Sequence, residues 1–153
     1  MIQRIQSLWL LLSALIMGAH LFLPYAWVGC AQGEFELLPY GICTAGGELL
    51  QPTYHLAILV GLSALLPLVT IFLFKRRMLQ IRLCFAAMGL VVGVVLVEAI
   101  FYLMGDGLFA DFEILGQRMK FLLSPLVALL TRYLAYRGIL RDEVLVRSAD
   151  RIR

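Results

Sequence analysis

Apolar positions along this chain fall into four long blocks separated by short polar breaks. The blocks cover residues 8–28, 56–74, 83–104 and 119–136. Each is close to the ~20 residues that cross the hydrocarbon core of a bilayer as a helix. Backbone groups in lipid must bond internally, and no period-2 alternation points to a barrel, so the pattern predicts helices. The expected fold is an all-α integral membrane protein. It is a four-transmembrane-helix bundle with a small β-hairpin in the first outer loop and a cytoplasmic C-terminal helix. The whole chain, 1–153, is one membrane domain, with residues 137–153 as the tail. Lys120 and Arg132 interrupt the fourth block near its ends, where long basic side chains snorkel to the headgroups.

Composition agrees with that reading. The chain is 62% hydrophobic and 15% charged, and its mean hydropathy is +0.92. A soluble domain carries about 25% charged residues. The net charge of +3 says little, but its distribution says more. Arg4, Lys75, Arg76, Arg77, Arg82, Arg132, Arg137, Arg141, Arg147, Arg151 and Arg153 lie on one side of the expected topology. The other side has only Arg118 and Lys120, with Glu34, Glu36, Glu48, Asp106, Asp111 and Glu113. The positive-inside rule then puts both termini in the cytoplasm of a multi-pass inner-membrane protein. It points to contact with the lipid bilayer and not to nucleic acid. The first apolar run is too long for a cleaved signal peptide, and Trp27 is a poor residue at a cleavage site.

The loop between the first two blocks has local structure of its own. Glu34 to Leu37 alternate polar and apolar, Tyr40 to Cys43 form a second extended stretch, and Gly46-Gly47 offers a turn. Cys30 and Cys43 both fall here, and an oxidising compartment would allow them to pair. Cys84 reads as a small packing residue. In the second loop Leu108, Phe109, Phe112 and Ile114 are apolar, suited to the interface or to packing under the first loop.

Polar residues inside the apolar blocks are the functional candidates. Glu98 lies six residues, about 9 Å, from the end of the third block. His20 sits at a similar depth in the first block and His55 opens the second. Together they form a candidate intramembrane polar cluster. Its readings are a structural pairing, a proton relay, a metal site or a bis-histidine haem. No ligand-spacing motif supports metal or haem, and no cofactor is expected. Catalytic signatures such as CxxC, GxSxG, a phosphate-cradling glycine loop or HExxH are missing. The serines Ser13, Ser63 and Ser124 have no His–Asp company in sequence. Small residues at i, i+4 mark helix contacts: Ala14 with Gly18, Ala57 with Gly61, and Gly89 with Gly93. Pro67 and Pro125 are candidate kinks, with Ser63 and Thr70 near enough to Pro67 to take up freed backbone groups.

The tail DEVLVRSADRIR is polar and helix-like. Glu143, Arg147 and Asp150 pair at i, i+4 and i, i+3. Leu145 and Ile152 mark a second face. The mixed charge and lack of aromatics favour docking on protein over lipid, through Leu145, Arg147, Asp150 and Ile152. The expected partners are other membrane or cytoplasmic protein subunits.

MIQRIQSLWLLLSAL at the start and the D-E-x-L-V-R-S-x-D-R-I-R ending resemble a family of small, uncharacterised four-helix inner-membrane proteins of Bacteroidota. The resemblance implies a Gram-negative inner membrane and no activity. A second likeness, to claudin-like tetraspan proteins, rests only on Trp27, Cys30 and Cys43 in a β-rich outer loop. The expected function is that of a non-catalytic scaffold or accessory subunit of a membrane complex. The alternatives are a transporter or proton-handling protein using Glu98, His20 and His55, and a membrane redox protein.

Overall fold

The computed structural model describes residues 2–31, 33–74, 76–104, 114–119 and 123–150. They form four helices and a five-stranded sheet. Helix α1 is Ile2–His20. Four strands follow: β1 (Ala26–Cys30), β2 (Gly33–Leu38), β3 (Gly41–Thr44) and β4 (Leu49–Pro52). Helix α2 is Tyr54–Phe72, α3 is Arg77–Leu103, β5 is Ile114–Met119 and α4 is Leu123–Asp150.

The expected all-α, four-span architecture is therefore corrected. The sheet is antiparallel in the order β4-β3-β2-β1-β5, so β5, from the far end of the chain, joins the four strands between α1 and α2. Among the described residues two helices, α2 and α3, are long and apolar enough to cross a membrane. The apolar stretch of α1, Ile5–His20, is shorter. The reason lies in the ends of the first and fourth blocks. A short apolar run such as Ala26-Trp27-Val28 fits a buried strand as well as a helix. Pro24 removes a backbone donor and disfavours helix in the residue before it, so the first block divides into α1 and β1. The fourth block divides likewise, with Met119 closing β5 and α4 starting at Leu123.

The strands pleat as the alternation requires. Ala26, Val28 and Cys30 are buried on β1, while Trp27 and Gly29 between them are half-buried. Across the sheet Val28 faces Phe35, Ala26 faces Leu37, and Leu37 faces Ile42. That buried face packs on Met17, Leu56, Val60, Val91, Val94 and Ala128 of the helices. The sheet thus covers the end of the bundle where α1 finishes and α2 and α4 begin. On its other face the Trp27 indole donates to Glu36 Oε1 at 3.2 Å across the strand pair. The Gly46-Gly47 turn forms as expected, with Gly47 at φ 82 and its N–H bonded to Thr44 O.

Helix α1 packs on α2 and α4, and α3 packs on the same two helices. At the end away from the sheet, Leu10, Cys84, Ala135 and Ile139 form a second small core. There Gln6 Nε2 donates to Asp142 Oδ2 at 2.7 Å, which ties the start of α1 to the later part of α4. The start of α1, the start of α3 and the later part of α4 therefore share one end of the molecule.

The bundle buries polar side chains among its apolar core and exposes large apolar ones. Ser13, His20, Ser63, Thr70, Glu98, Thr131 and Arg132 are buried. Large apolar side chains stand exposed on every helix, including Leu8 and Leu15, Ile58 and Leu65, Phe85 and Leu96, and Leu126 and Leu130.

Candidate functional site

Helix α3 turns one narrow stripe inward: Cys84, Ala87, Val91, Val94 and Glu98, at alternating steps of three and four. The stripe carries Glu98 into the bundle at the sheet end. His20, the last residue of α1, meets it there, with Nε2 at 2.5 Å from Glu98 Oε1. Both side chains have no exposed surface. Ser124, in the first turn of α4, places Oγ at 2.8 Å from the other ring nitrogen, Nδ1. A serine, a histidine and a carboxylate from three helices are thus joined in one chain of hydrogen bonds. Glu98 Oε2 is buried with no hydrogen-bond partner among the described residues. Tyr25, also buried, lies close enough to feel that carboxylate. Burial, and then the Glu98 charge, push its phenol above the ordinary value of 10.0.

His55 is not part of this cluster. It is exposed at the start of α2 and stacks on Phe101 with ring centroids 5.3 Å apart. Ser124 is the member that sequence reasoning missed. Nothing in linear order links residues 20, 98 and 124, and only the packing of α4 between α1 and α3 brings them together. Among the described residues no three His, Cys, Asp or Glu side chains form a group that could hold a metal.

The connectivity is that of a nucleophilic triad, with the two ring nitrogens exchanged relative to the hydrolase template. The surroundings differ. His20 and Glu98 are sealed from solvent, whereas Ser124 is half-buried. Two proton arrangements fit the same heavy atoms. Ser124 donates to His20 and His20 to an ionised Glu98, or a protonated Glu98 donates to His20 and His20 to Ser124. The chain can therefore tie three helices or pass a proton along itself.

A second buried centre lies deeper in the bundle. Arg132 is fully buried, not snorkelling as its position in the fourth block implied. Its Nε donates to Ser13 Oγ at 2.7 Å, its Nη1 to the carbonyl of Ala87, and its Nη2 to Ser63 O at 2.5 Å and Ser63 Oγ at 3.1 Å. One guanidinium on α4 thereby binds α1, α2 and α3. The Ser63 carbonyl is special. In a regular helix it would accept from the N–H of residue 67, and Pro67 has none. Arg132 supplies the missing donor. Thr70 instead donates to Leu66 O, at 2.8 Å. Pro125 lies in the first turn of α4, where proline is tolerated and need not kink the helix. Lys120 is outside the described residues.

Cys30 and Cys43 are buried free thiols. Cys30 belongs to the face of Val28, while Cys43 faces Glu36 on the opposite side of the sheet. Strand β2 also separates them, and Cys43 is level with Trp27, three residues along β1 from Cys30, so their Cα atoms stand more than two strand spacings, roughly 9.6 Å, apart, beyond the ~7 Å reach of a disulfide.

Of the small-residue pairs, Ala14 is buried and Ala57 half-buried. A Cβ on Gly93 would meet Leu59 at 3.9 Å, but Gly18, Gly61 and Gly89 face no atom within 4 Å of that point. The close approach is elsewhere, at Gly138, where a Cβ would come within 3.0 Å of Gln6 Cγ. On the tail, Leu145 is 55% exposed, flanked by exposed Val144 and Val146. The side chains of Arg147 and Asp150, and all of Ile152, are outside the described residues.

Against known families, the family described as Domain of unknown function (DUF4293) matches residues 2–152. The chain belongs to that family. No curated protein matches the chain. Family membership brings no activity with it, so the two buried centres and the exposed surfaces carry the functional argument.

Proposed function

We propose that the chain is a non-catalytic integral membrane protein, a scaffold or accessory subunit of a complex in the bacterial inner membrane. In this reading the helical layer lies in lipid, α2 and α3 cross it, and the sheet covers its outer end. Apolar surface on every helix supports the membrane placement. Lone exposed apolar residues are normal, but apolar surface on all four helices of a bundle that buries Glu98 and Arg132 is suited to lipid. Arg76, Arg77 and Arg82 at the α2–α3 corner share an end with the start of α1 and the later part of α4, which supports a cytoplasmic location for that end.

The observation that carries the scaffold reading is the uncovered tail. Helix α4 continues well past Ile139, its last buried side chain among those described, and exposes Val144, Leu145 and Val146 in succession. An isolated helix held by a few i, i+4 pairs is marginal in water, so an exposed apolar turn of this kind is suited to a protein partner. The test is purification of the full chain in mild detergent beside a Leu145→Asp variant. A stoichiometric partner that is retained by the wild type and lost in the variant supports the proposal. Recovery of the chain alone from both rejects it.

One observation favours a second reading. Glu98 Oε2 is buried without a hydrogen-bond partner among the described residues, beside a histidine able to exchange a proton with it. Proton handling by Glu98 and His20, without His55, predicts that Glu98→Gln abolishes proton flux in proteoliposomes while the fold is kept. Equal flux in the variant rejects it.

A further inference from the structure

At the end opposite the sheet, a cavity of about 530 Å³ opens between the start of α3 and the tail. Arg76, Arg77 and Arg82 line one wall, and Glu143 and Val146 of α4 face them. Among the described lining residues three cations meet one carboxylate. The first turn of α3 lines the same wall, so the positive end of that helix adds to the field. Arg77 Nη1 is buried with no hydrogen-bond partner among the described residues. This contrasts with Arg132, whose guanidinium is bonded through all three nitrogens. Met78, Leu79 and Val146, all exposed, give the cavity an apolar border. Phe72 and Phe74, just before the corner, extend apolar exposed surface towards the helical layer.

We propose that this cavity binds the phosphate headgroup of an anionic phospholipid. A guanidinium fork matches phosphate oxygens, and the unused Arg77 donor offers a ready contact. Basic pockets between helices at the cytoplasmic face are suited to such headgroups. The apolar border favours lipid over free phosphate, because an acyl chain can follow it where an inorganic ion cannot. The inference rests on the membrane reading above.

The test is a titration of the purified full chain, in detergent, with dioleoylphosphatidylglycerol, dioleoylphosphatidylcholine or inorganic phosphate, read by thermal shift. Phosphatidylglycerol raises the melting temperature and phosphatidylcholine does not. Arg82→Gln weakens that binding about fivefold, the equivalent of about 1 kcal/mol for a basic side chain at an anionic lipid surface. Adding Arg77→Gln weakens it about fivefold again, and Glu143→Gln strengthens it. Should the double variant fail to fold, Arg82→Gln carries the test alone, since its side chain is exposed. Equal shifts with both lipids, or wild-type binding by Arg82→Gln, overturn the proposal. Inorganic phosphate reproducing the whole shift overturns the lipid as its source. Carbonate extraction of native membranes reads the membrane placement separately, since the titration is done in detergent.

Discussion

Arg132 and Pro67 offer a quantitative test of how the bundle is held. Replacing Arg132 by Met keeps most of the volume and removes every donor. Three effects follow. The guanidinium no longer has to be desolvated, which favours the variant. The Ser13 and Ser63 hydroxyls lose a partner, which disfavours it. The Ser63 carbonyl, which Pro67 cannot serve, is left bare inside the bundle at a cost of about 1–3 kcal/mol. The first two effects have opposite signs, so the single variant is a poor measure. Pro67→Ala isolates the third, because it restores an N–H for Ser63 O whether or not Arg132 is present. The double-mutant cycle should therefore give a coupling of about 1–3 kcal/mol. Arg132→Met should cost less in the Pro67→Ala background than in the wild type. The assay is unfolding of detergent-solubilised protein in a denaturing-detergent titration, followed by the fluorescence of Trp9 and Trp27. A coupling near zero would refute the assignment of Arg132 to the carbonyl freed by Pro67.

Further expectations test the remaining contacts. His20→Ala removes the hydrogen-bond partner that Glu98 has among the described residues and should cost about 3–5 kcal/mol, the range for breaking a buried pair. Ser124→Ala removes one hydrogen bond and should cost about 1 kcal/mol. Equal losses in the two variants would contradict the order of the chain. The raised Tyr25 phenol stabilises the fold below pH 10.0, and that contribution is lost as pH rises from there towards its folded value. Tyr25→Phe should accordingly flatten the fall in stability above pH 10.0, and an unchanged alkaline limb would remove Tyr25 from the account. Denaturing alkylation without reductant should modify Cys30, Cys43 and Cys84 alike, and a chain left with a linked 30–43 pair would contradict the sheet register. Gly138→Val should displace Gln6 from Asp142 and destabilise the protein by about 1–3 kcal/mol, the usual cost of overpacking, as read by the same unfolding titration.

Some of this was legible in the sequence and some was not, for physical reasons. Membership of an uncharacterised family followed from the two termini, and the Gly46-Gly47 turn from residue chemistry. The inward position of Glu98 follows from helical period, since Cys84, Ala87, Val91 and Val94 share its stripe. Strand β1 was hidden because a short apolar run at a block edge has no period to separate strand from helix, and β5, Ile114–Met119, has no regular alternation to mark it. Pairing between β1 and β5 joins segments far apart in the chain, and no local pattern specifies it. Ser124 and Arg132 were misjudged for a related reason. Their roles depend on which helices α4 packs between, and a serine or an arginine near the end of an apolar block looks the same whether it faces lipid, water or a neighbour's carbonyl. His55 shows the converse, since proximity to a helix start suggested convergence while its helix face turned it outward.

The account's central claim is that lipid surrounds the helical layer and that the tail of α4 is held by another protein. A photo-crosslinking residue placed at 62 or at 145 in the full chain, activated in intact cells, tests both halves at once. Leu62 and Leu145 are similarly exposed, at 50% and 55%. The account predicts a discrete protein adduct from position 145 and lipid adducts without protein from position 62. Lipid adducts from both positions, or a chain that crosslinks only to itself from 145, would contradict it.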